Sequence, residues 1–592
     1  MFHHLARDSY LTDSEHSGKP SAEALGLSSE LSSKQDGHDE EEREDREFVY
    51  GLGEVKGGMM KVGKRYTLEA RDSLGYDPEE TDPLYKVCPF LTIYNPSLRF
   101  WVGIYYNTLS PSVVDLGAEH DFSTGNFRSF SVENGPLDYY VLLGGDEEGE
   151  RDPSQGPVPT LPPLSQFGYL ASSLTLSELE NAQDAVIDYV LGTRTRGFAL
   201  DGMHLSSGYC LDPVSSERNY FVWNRLKYPD PCSMGERLET KESCQVIMNV
   251  KPWLLEGHPW YRRTAEQKGF VRAAPDSRPT TAARTFHWSA NMGDTAKGSY
   301  VDYSSSAGYE AWQSFMQEGG LDKNITGFWI DNNEFSTIMD DCQTIRGEIA
   351  IGAVGRPVLT MGMAKSTYEK LLMANPSRRP VVVTRSFVPG MQAFAHGSWS
   401  GDNSTSWKTL KWSTKMTLSV GLSFGPGLYG HDIGGFSGHN SPSPELLVRW
   451  CQQSIWHTRF TVHSWKKVST TLHMYDHLPE VNEILLRTLR LRYRLVPFLY
   501  SLYVTDYHRR GHPVIRPLLW YHSSDINTLT QDEQFLLGSH ILVAPVTESG
   551  KRWVDFNLPF VVDAEPGRGG NDRVSWCELD TGRWHHPSPM VV

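Results

Sequence analysis

Gly327-Phe-Trp-Ile-Asp331-Asn-Asn-Glu334-Phe335 reads as a short apolar strand that delivers a carboxylate at its end, followed by two amides and a second acid. The shape recurs along the chain. Gly197-Phe-Ala-Leu-Asp201 ends on an acid, Gln245-Val-Ile-Met-Asn-Val250 is followed by Lys251, and Pro380-Val-Val-Val-Thr384 is followed by Arg385. Runs this apolar suit strands buried on both faces of a parallel sheet. Helical periodicity fills the intervals, as in Leu176 to Val190, Ser305 to Glu318 and Pro444 to Trp456. Repeated strand–helix units over residues 161–510 therefore predict an α/β fold, a (β/α)8 TIM barrel with inserted loops. A doubly wound sheet fits less well, because no Gly-rich phosphate loop follows the first strand. Asp201, Lys251, Asp331 and Arg385 fall at strand ends, the rim where such barrels keep their chemistry.

The flanks read differently. Residues 48–160 carry short alternating runs separated by turn residues, Tyr66 to Ala70, Phe90 to Tyr94 and Phe100 to Tyr106, which predicts an N-terminal β-sandwich. Residues 146–163, rich in Gly and Pro, read as its linker to the barrel. Residues 1–47 are poor in aromatics and end in a run of acids, so a disordered tail is expected. Glu480 to Arg510 is a strongly periodic helix in which Pro497 should cause a kink or a break. Residues 511–592 return to short apolar strands such as Ile541 to Pro545. A short C-terminal β-domain is expected there, incomplete where it ends at Val592.

With 72 acidic and 56 basic residues the net charge is −16, which argues against a surface that tracks phosphates. No apolar run approaches membrane-spanning length. Met1-Phe2-His3-His4 is not followed by an apolar segment, so no signal peptide is expected and the chain as written reads as cytoplasmic. The seven cysteines show no CxxC spacing, so neither a zinc site nor a disulfide framework is suggested. Cys232 and Cys244 would close one loop in an oxidising compartment.

Cleavage of a glycosidic bond needs two carboxyl groups around one anomeric carbon. The strand-end Asp331 supplies one candidate. Trp399-Ser-Gly-Asp402-Asn403-Ser-Thr-Ser-Trp407 supplies another, in a loop whose indole rings would desolvate a carboxyl and raise its pKa, as a general acid requires. Taken singly, each has a plainer use: a strand-end Asp caps the next turn, and an Asp in a Gly- and Ser-rich loop makes an Asx-turn.

Together the two segments resemble the signature regions of glycoside hydrolase family 31, a family of retaining α-glucosidases, α-xylosidases and α-transglycosylases. Trp329-Ile-Asp331-Asn-Asn333-Glu334 matches the nucleophile pattern W-x-D-x-N-E, and Trp399-Ser-Gly401-Asp402-Asn403 matches the acid/base pattern W-x-G-D-N. Tyr50 to Glu54, Arg385-Ser386, Gly430 to Phe436, His463, Leu491 to Tyr500 and Pro513 to Pro517 resemble further family segments. The resemblance implies Asp331 as nucleophile and Asp402 as acid/base. It also implies a sugar pocket formed by Trp329, Asn332, Arg385, Trp399, Asp432, Phe436, His463 and Ser206, with Glu334 and Asp201 in support. No cofactor and no metal are implied. The implied partner is an α-linked oligosaccharide substrate, with no nucleic acid and no membrane span, and relatives of this kind are often secreted.

Four departures bear on the donor sugar. Ser206 stands where the family's α-glucosidases carry an Asp, and a neutral hydroxyl makes the weaker hydrogen bond. Thr461-Val-His463 replaces an R-x-H pair. Gln392-Ala393-Phe394 replaces Q-R-Y, and the interval from Arg385 to Asp402 is one residue longer. Asn332 follows the nucleophile where many α-glucosidases have Met. The leading expectation is an enzyme that hydrolyses or transfers α-glucosyl units. The alternatives are an α-xylosidase or α-galactosidase of the same family, and a non-catalytic carbohydrate-binding or regulatory protein.

Overall fold

A computed structural model describes residues 47–121, 125–145, 158–273, 285–286, 295–338, 340–344, 348–559 and 575–585. The tail expected over residues 1–47 falls, up to residue 46, outside the described residues, as does the linker over residues 146–157.

The N-terminal region is a sandwich of two antiparallel sheets. One orders Phe48–Gly51, Phe90–Asn95, Phe100–Tyr106 and Tyr139–Gly145, and the other Arg65–Leu68, Ser112–Asp121 and Gly125–Val132. Successive side chains of a strand face opposite ways, and both faces of the first strand are covered. Val49, Leu91 and Ile93 join Tyr66, Leu68, Val114 and Leu116 between the sheets. Phe48, Tyr50 and Tyr94 face outward onto Leu495, Leu499, Phe535 and Leu537, which ties the sandwich to the barrel's last helix and to the C-terminal strands. Those strands, Ile515–Arg516, Phe535–Leu537 and Ile541–Val543, form a small antiparallel sheet.

Between these regions lies a parallel sheet in the order Leu428–Gly430, Gly397–Trp399, Val382–Thr384, Gly327–Ile330, Gln245–Val250, Gly202–Leu205, Tyr169–Ser172, Phe460–Val462 and Asp432–Ile433. The two end segments of that order, Leu428–Gly430 and Asp432–Ile433, are consecutive in the chain and separated only by His431. One strand, interrupted at that residue, therefore pairs on both sides and closes the barrel. The His431 ring, buried, bonds Ser400 at 2.8 Å and Thr417 at 3.0 Å instead of continuing the ladder.

Helices cover the outside, and side-chain caps set their starts. Asp230, Ser305, Ser406 and Ser443 each accept a backbone N–H three residues on, and Pro231 and Pro444 follow two of these caps with φ already set for a helix. The helix expected over Leu176 to Val190 is interrupted, as Leu174–Glu178 and then Ala182–Thr195. Pro497 does not split its helix: Pro479–Leu502 is continuous through it, and the ladder widens to π-turns only over Tyr503–His508. Packing outweighs the lost hydrogen bond there. Leu489, Val496 and Leu499 are buried around it, and Arg492 donates to the carbonyls of Phe167, Ile455 and Thr458 at 2.7–2.9 Å.

Two further sequence expectations are corrected. Residues 197–201 are not a strand; the strand is Gly202–Leu205, so Asp201 precedes it. Cys232 and Cys244 form no disulfide, Cys244 being buried and Cys232 exposed. Among the described residues no helix is long and apolar enough to cross a membrane.

Candidate active site

Strand register and alternation build the site. Val250 pairs with Ile330 and Ile330 with Thr384, so the next residue of each strand, Lys251, Asp331 and Arg385, emerges at one level. The backbone bonds from Asp331 N to Val250 O (3.0 Å) and from Arg385 N to Ile330 O (3.1 Å) hold that level. Ile247, Trp329, Val383 and Trp399 form a separate cluster from the outer core that holds Met248, Phe328, Ile330 and Val382. They line the barrel's interior, and with a period of two the same face carries Asn249 and Lys251, Asp331, and Arg385. Outward Ile433, Phe460 and Val462 leave Asp432, Thr461 and His463 facing inward by the same rule.

Arg385 is the hub. Its Nε and Nη2 donate to the two Glu334 oxygens at 2.9 and 2.8 Å, and Nη1 donates to Asp402 Oδ2 at 3.2 Å. Nε also lies 3.2 Å from Asp331 Oδ1, and Nη2 lies 3.1 Å from Asp72 Oδ2. Its planar face covers the Tyr85 ring, 4.8 Å from the centroid. Asp331 is further held by the Asn332 N–H at 2.8 Å, by Asn249 Nδ2 at 3.1 Å and by the Lys251 ammonium.

The two catalytic candidates are driven apart in acidity. Burial pushes the Asp331 carboxyl up, but Lys251, Arg385 and Asn249 outweigh it and hold the group well below the usual carboxylate range. For Asp402 burial dominates, and the neighbouring Asp72 and Asp331 add to it. Arg385 offsets only part, and the carboxyl is pushed up to about 8. One group is thus charged and the other protonated at neutral pH, the pairing that a nucleophile and a general acid need.

The N-terminal sandwich clasps the loop that carries Asp402. Gly75 N donates to Asp402 O at 2.7 Å, and the Tyr85 hydroxyl accepts the Asp402 N–H at 3.2 Å. Gly401 has φ +70°, and a Cβ there would lie 2.2 Å from the Tyr85 ring, so glycine is required on both counts. Beneath the loop, Lys86 donates to Glu54 at 2.6 Å and to the Trp399 carbonyl at 2.7 Å, and the Tyr429 hydroxyl donates to Glu54 at 2.6 Å. This buried network accounts for the Gly-Leu-Gly-Glu54 segment: it anchors the sandwich under the loop that carries Asp402.

Of the residues expected at the site, Ser206, Trp329, Asp331, Arg385, Asp402, Phe436 and His463 line one cavity of about 30 Å³, together with Leu174, Ser207, Asn249, Lys251 and Trp465. Glu334 stands behind the arginine. Asn332, at φ +51°, uses its amide to link Lys251 to Asp72, to which it donates at 2.7 Å. A Met at that position could make neither bond. Trp399 lies deeper, edge-on to Trp329 with ring centroids 5.5 Å apart. Asp432 is also deeper, its carboxyl pushed well up by burial. Burial also lowers His463 to about 3, which leaves its imidazole neutral. Arg459, two residues before Thr461 and thus on the same inner face, brings a buried guanidinium one layer below the place of the missing R-x-H arginine.

Asp201 does not reach the site. It sits at the other end of the barrel, where its backbone bonds the first residues of two strands, Tyr169 and Gln245, and Tyr493 donates to its carboxylate at 2.5 Å. Among the described residues Asn249 Oδ1, Trp329 Nε1, Asp432 Oδ2 and His463 Nδ1 are buried without a hydrogen-bond partner. Asn249, Trp329 and His463 line one cavity, and their unsatisfied polar groups mark a place built for hydroxyls. Among the described residues no group of three or more His, Cys, Asp or Glu is arranged to hold a metal ion. Sequence reading missed Asp72 and Tyr85, which come from a different domain, and it noted Lys251 only as a strand-end charge.

Comparison with known proteins follows this geometry. The family model of the glycosyl hydrolases family 31 TIM-barrel domain matches residues 159–502. The glycosyl hydrolase 31 N-terminal galactose mutarotase-like domain matches residues 10–115, and the family's C-terminal domain residues 511–569. Neutral alpha-glucosidase AB of Homo sapiens is 27% identical over 577 residues, which is 91% of this chain and 56% of that protein. Alpha-glucosidase 2 of Bacillus thermoamyloliquefaciens is 27% identical over 91% of this chain and 66% of its own length. The chain thus spans 56% and 66% of these two relatives. A GH31 dextranase of Flavobacterium johnsoniae complexed with glucose superposes with a TM-score of 0.75 at 22% identity, covering 91% of this chain and 64% of that one.

Proposed function

The chain belongs to glycoside hydrolase family 31, and from that premise we propose that it hydrolyses or transfers α-glucosidic bonds in oligosaccharides with retention of configuration. The observation that carries the reading is the pair of carboxyls on one guanidinium, Asp331 charged and Asp402 protonated. A retaining pair stands about 5 Å apart, and one guanidinium within 3.2 Å of both carboxyls holds these two close together.

Asp331 attacks the anomeric carbon while Asp402 gives its proton to the leaving oxygen. The glycosyl-enzyme on Asp331 is then released by water or a sugar hydroxyl, whose proton returns to Asp402. Arg385 stays within reach of both carboxyls, and the unpartnered Trp329 Nε1, Asn249 Oδ1 and His463 Nδ1 take the sugar's hydroxyls. A cavity of about 30 Å³ admits a water and not a pyranose. Half-buried Trp465 lines it beside Phe436, their ring centroids 6.3 Å apart. The names of the two curated relatives, both alpha-glucosidases, support glucose as donor.

One observation favours a second donor. Ser206 and Ser207 give the wall opposite the acid hydroxyls where a carboxylate would grip glucose more strongly, which suits an α-xyloside or α-galactoside. Sugar release from aryl α-glucosides, α-xylosides and α-galactosides separates the donors. Asp402→Ala should lose at least about 10²-fold, the lower range of what a general acid supplies, and Asp331→Ala should lose at least as much. A covalent α-glucosyl trap should label Asp331. Full activity in Asp331→Ala would refute the nucleophile assignment, and an unlabelled, inactive wild type would favour a binding protein.

A further inference from the structure

Lys251 helps hold Asp331 charged, but the two-carboxyl reading gives it no role toward the sugar. Its side chain is 5% exposed and ends between Asp331 Oδ2 and Asn332 Oδ1. Asn249 donates to the same Oδ2 at 3.1 Å, and Asn332 passes the contact on to Asp72 in the sandwich. An ammonium has three N–H groups. Two are used by these contacts, and the third remains for the cavity that Lys251 lines with Ser206, Ser207 and Asn249.

The charges around Asp331 show why this cation matters. Arg385 faces it after Val382–Thr384, Asp402 after Gly397–Trp399 and Glu334 from its own turn. Asp432, Tyr220 and a neutral His463 also face it, and Asp72 reaches it through Arg385. Arg385 is shared among four carboxylates, Asp72, Asp331, Glu334 and Asp402. Lys251, among the described residues, is within ion-pair distance of Asp331 alone.

We propose that Lys251 is the positioning residue for the nucleophile: its ammonium keeps Asp331 charged, fixes its orientation through Oδ2, and offers the remaining N–H to a hydroxyl of the donor ring. It thereby couples recognition of the sugar to the group that attacks it. The proposal rests on the assignment of Asp331 as nucleophile. Every proton that moves in the reaction passes through Asp402.

The test reads Asp331 without substrate, by difference infrared titration of carbon-13-labelled Asp, with the Asp331 band assigned by subtracting D331N. In the wild type its carboxylate band should persist to the acid-unfolding limit. In K251M the midpoint should rise by about 1–3 pH units, into the range where the protein is folded, and the acidic limb of kcat/KM on an aryl α-glycoside should move with it. K251Q carries the same expectation should K251M fail to fold, and K251R should restore the wild-type titration. A carboxyl that does not shift in folded K251M or K251Q overturns the proposal, whether or not the enzyme is active. A shifted carboxyl in a protein that cleaves no α-glycoside keeps the Lys251 assignment and refutes the glycosidase reading instead.

Discussion

Asp72→Asn tests whether a residue of the N-terminal sandwich sets the acidity of the catalytic acid in the barrel. Asp72 and Asp402 occupy the two terminal nitrogens of one guanidinium, Arg385 Nη2 at 3.1 Å and Nη1 at 3.2 Å. Two carboxylates so placed are about 6 Å apart, and at an effective dielectric constant of about 20 they repel by roughly 2.8 kcal/mol, or about two pH units. The Asp72 side chain is 31% exposed, so solvent screens part of this and about one unit remains. The asparagine keeps the shape and an oxygen for Arg385 and Asn332. It removes the charge that helps keep the Asp402 proton in place, and it leaves Arg385 freer to draw that proton off. Both changes act in the same direction.

The sign follows directly. Asp402 must be protonated to act, so activity falls as the pH rises through its pKa, about 8 in the wild type. Lowering that pKa moves the alkaline limb of kcat/KM down, to about pH 7. The assay is kcat/KM against pH on an aryl α-glycoside whose leaving group still needs protonation, with unfolding by circular dichroism checked at each end of the range. An alkaline limb that stays within a few tenths of a unit of the wild type would refute the charge coupling. A uniform loss at every pH, with the limb in place, would mean that Asp72 only supports structure.

Two further substitutions probe the frame around the site. Gly401→Ala puts a methyl 2.2 Å from the Tyr85 ring at φ +70°. Moving the Asp402 loop by about 1 Å should cost on the order of 10² in kcat, whereas an unchanged kcat would show that the clasp does not place the acid. Asp201→Asn, at the far end of the barrel, should leave kcat and its pH profile unchanged. Its effect should be a lower Tm, because a charge-assisted bond from Tyr493 worth about 1.5–3 kcal/mol becomes an ordinary one. A hundredfold loss of kcat without a loss of stability would return Asp201 to the site.

The barrel was legible because its strands are buried on both faces and end in charge. The limits of Gln245–Val250 and Phe100–Tyr106 were read to the residue, since the first stops at Lys251 and the second at Asn107. The misreadings arose where local pattern and packing disagree. Gly197-Phe-Ala-Leu-Asp201 has the composition of a strand, and Phe198 and Leu200 are indeed buried. Pairing begins only at Gly202, where Leu170 and Gln245 stand opposite, so the same acid that ends the apolar run falls at the wrong end of the barrel. Pro497 breaks the rule for an isolated helix but not for one gripped along both sides.

The site was legible in part for a related reason. Wherever a functional residue follows a strand, counting by two from the buried neighbours gives its direction: Trp329 inward implies Asp331 inward, and Ile247 inward implies Asn249 and Lys251. That count, carried one step further, would have turned Lys251 inward, but only the register of the two strands sets it beside Asp331. Asp72 and Tyr85 lie beyond such reasoning. Nothing within ten residues of either marks it out, and each meets Arg385 because the sandwich is seated on the barrel, where the buried Lys86 bonds the Trp399 carbonyl and Tyr429 bonds Glu54. The acid's pKa is accordingly a property of the interface between two domains. Changes that loosen that interface should therefore move the alkaline limb of activity before they unfold the barrel.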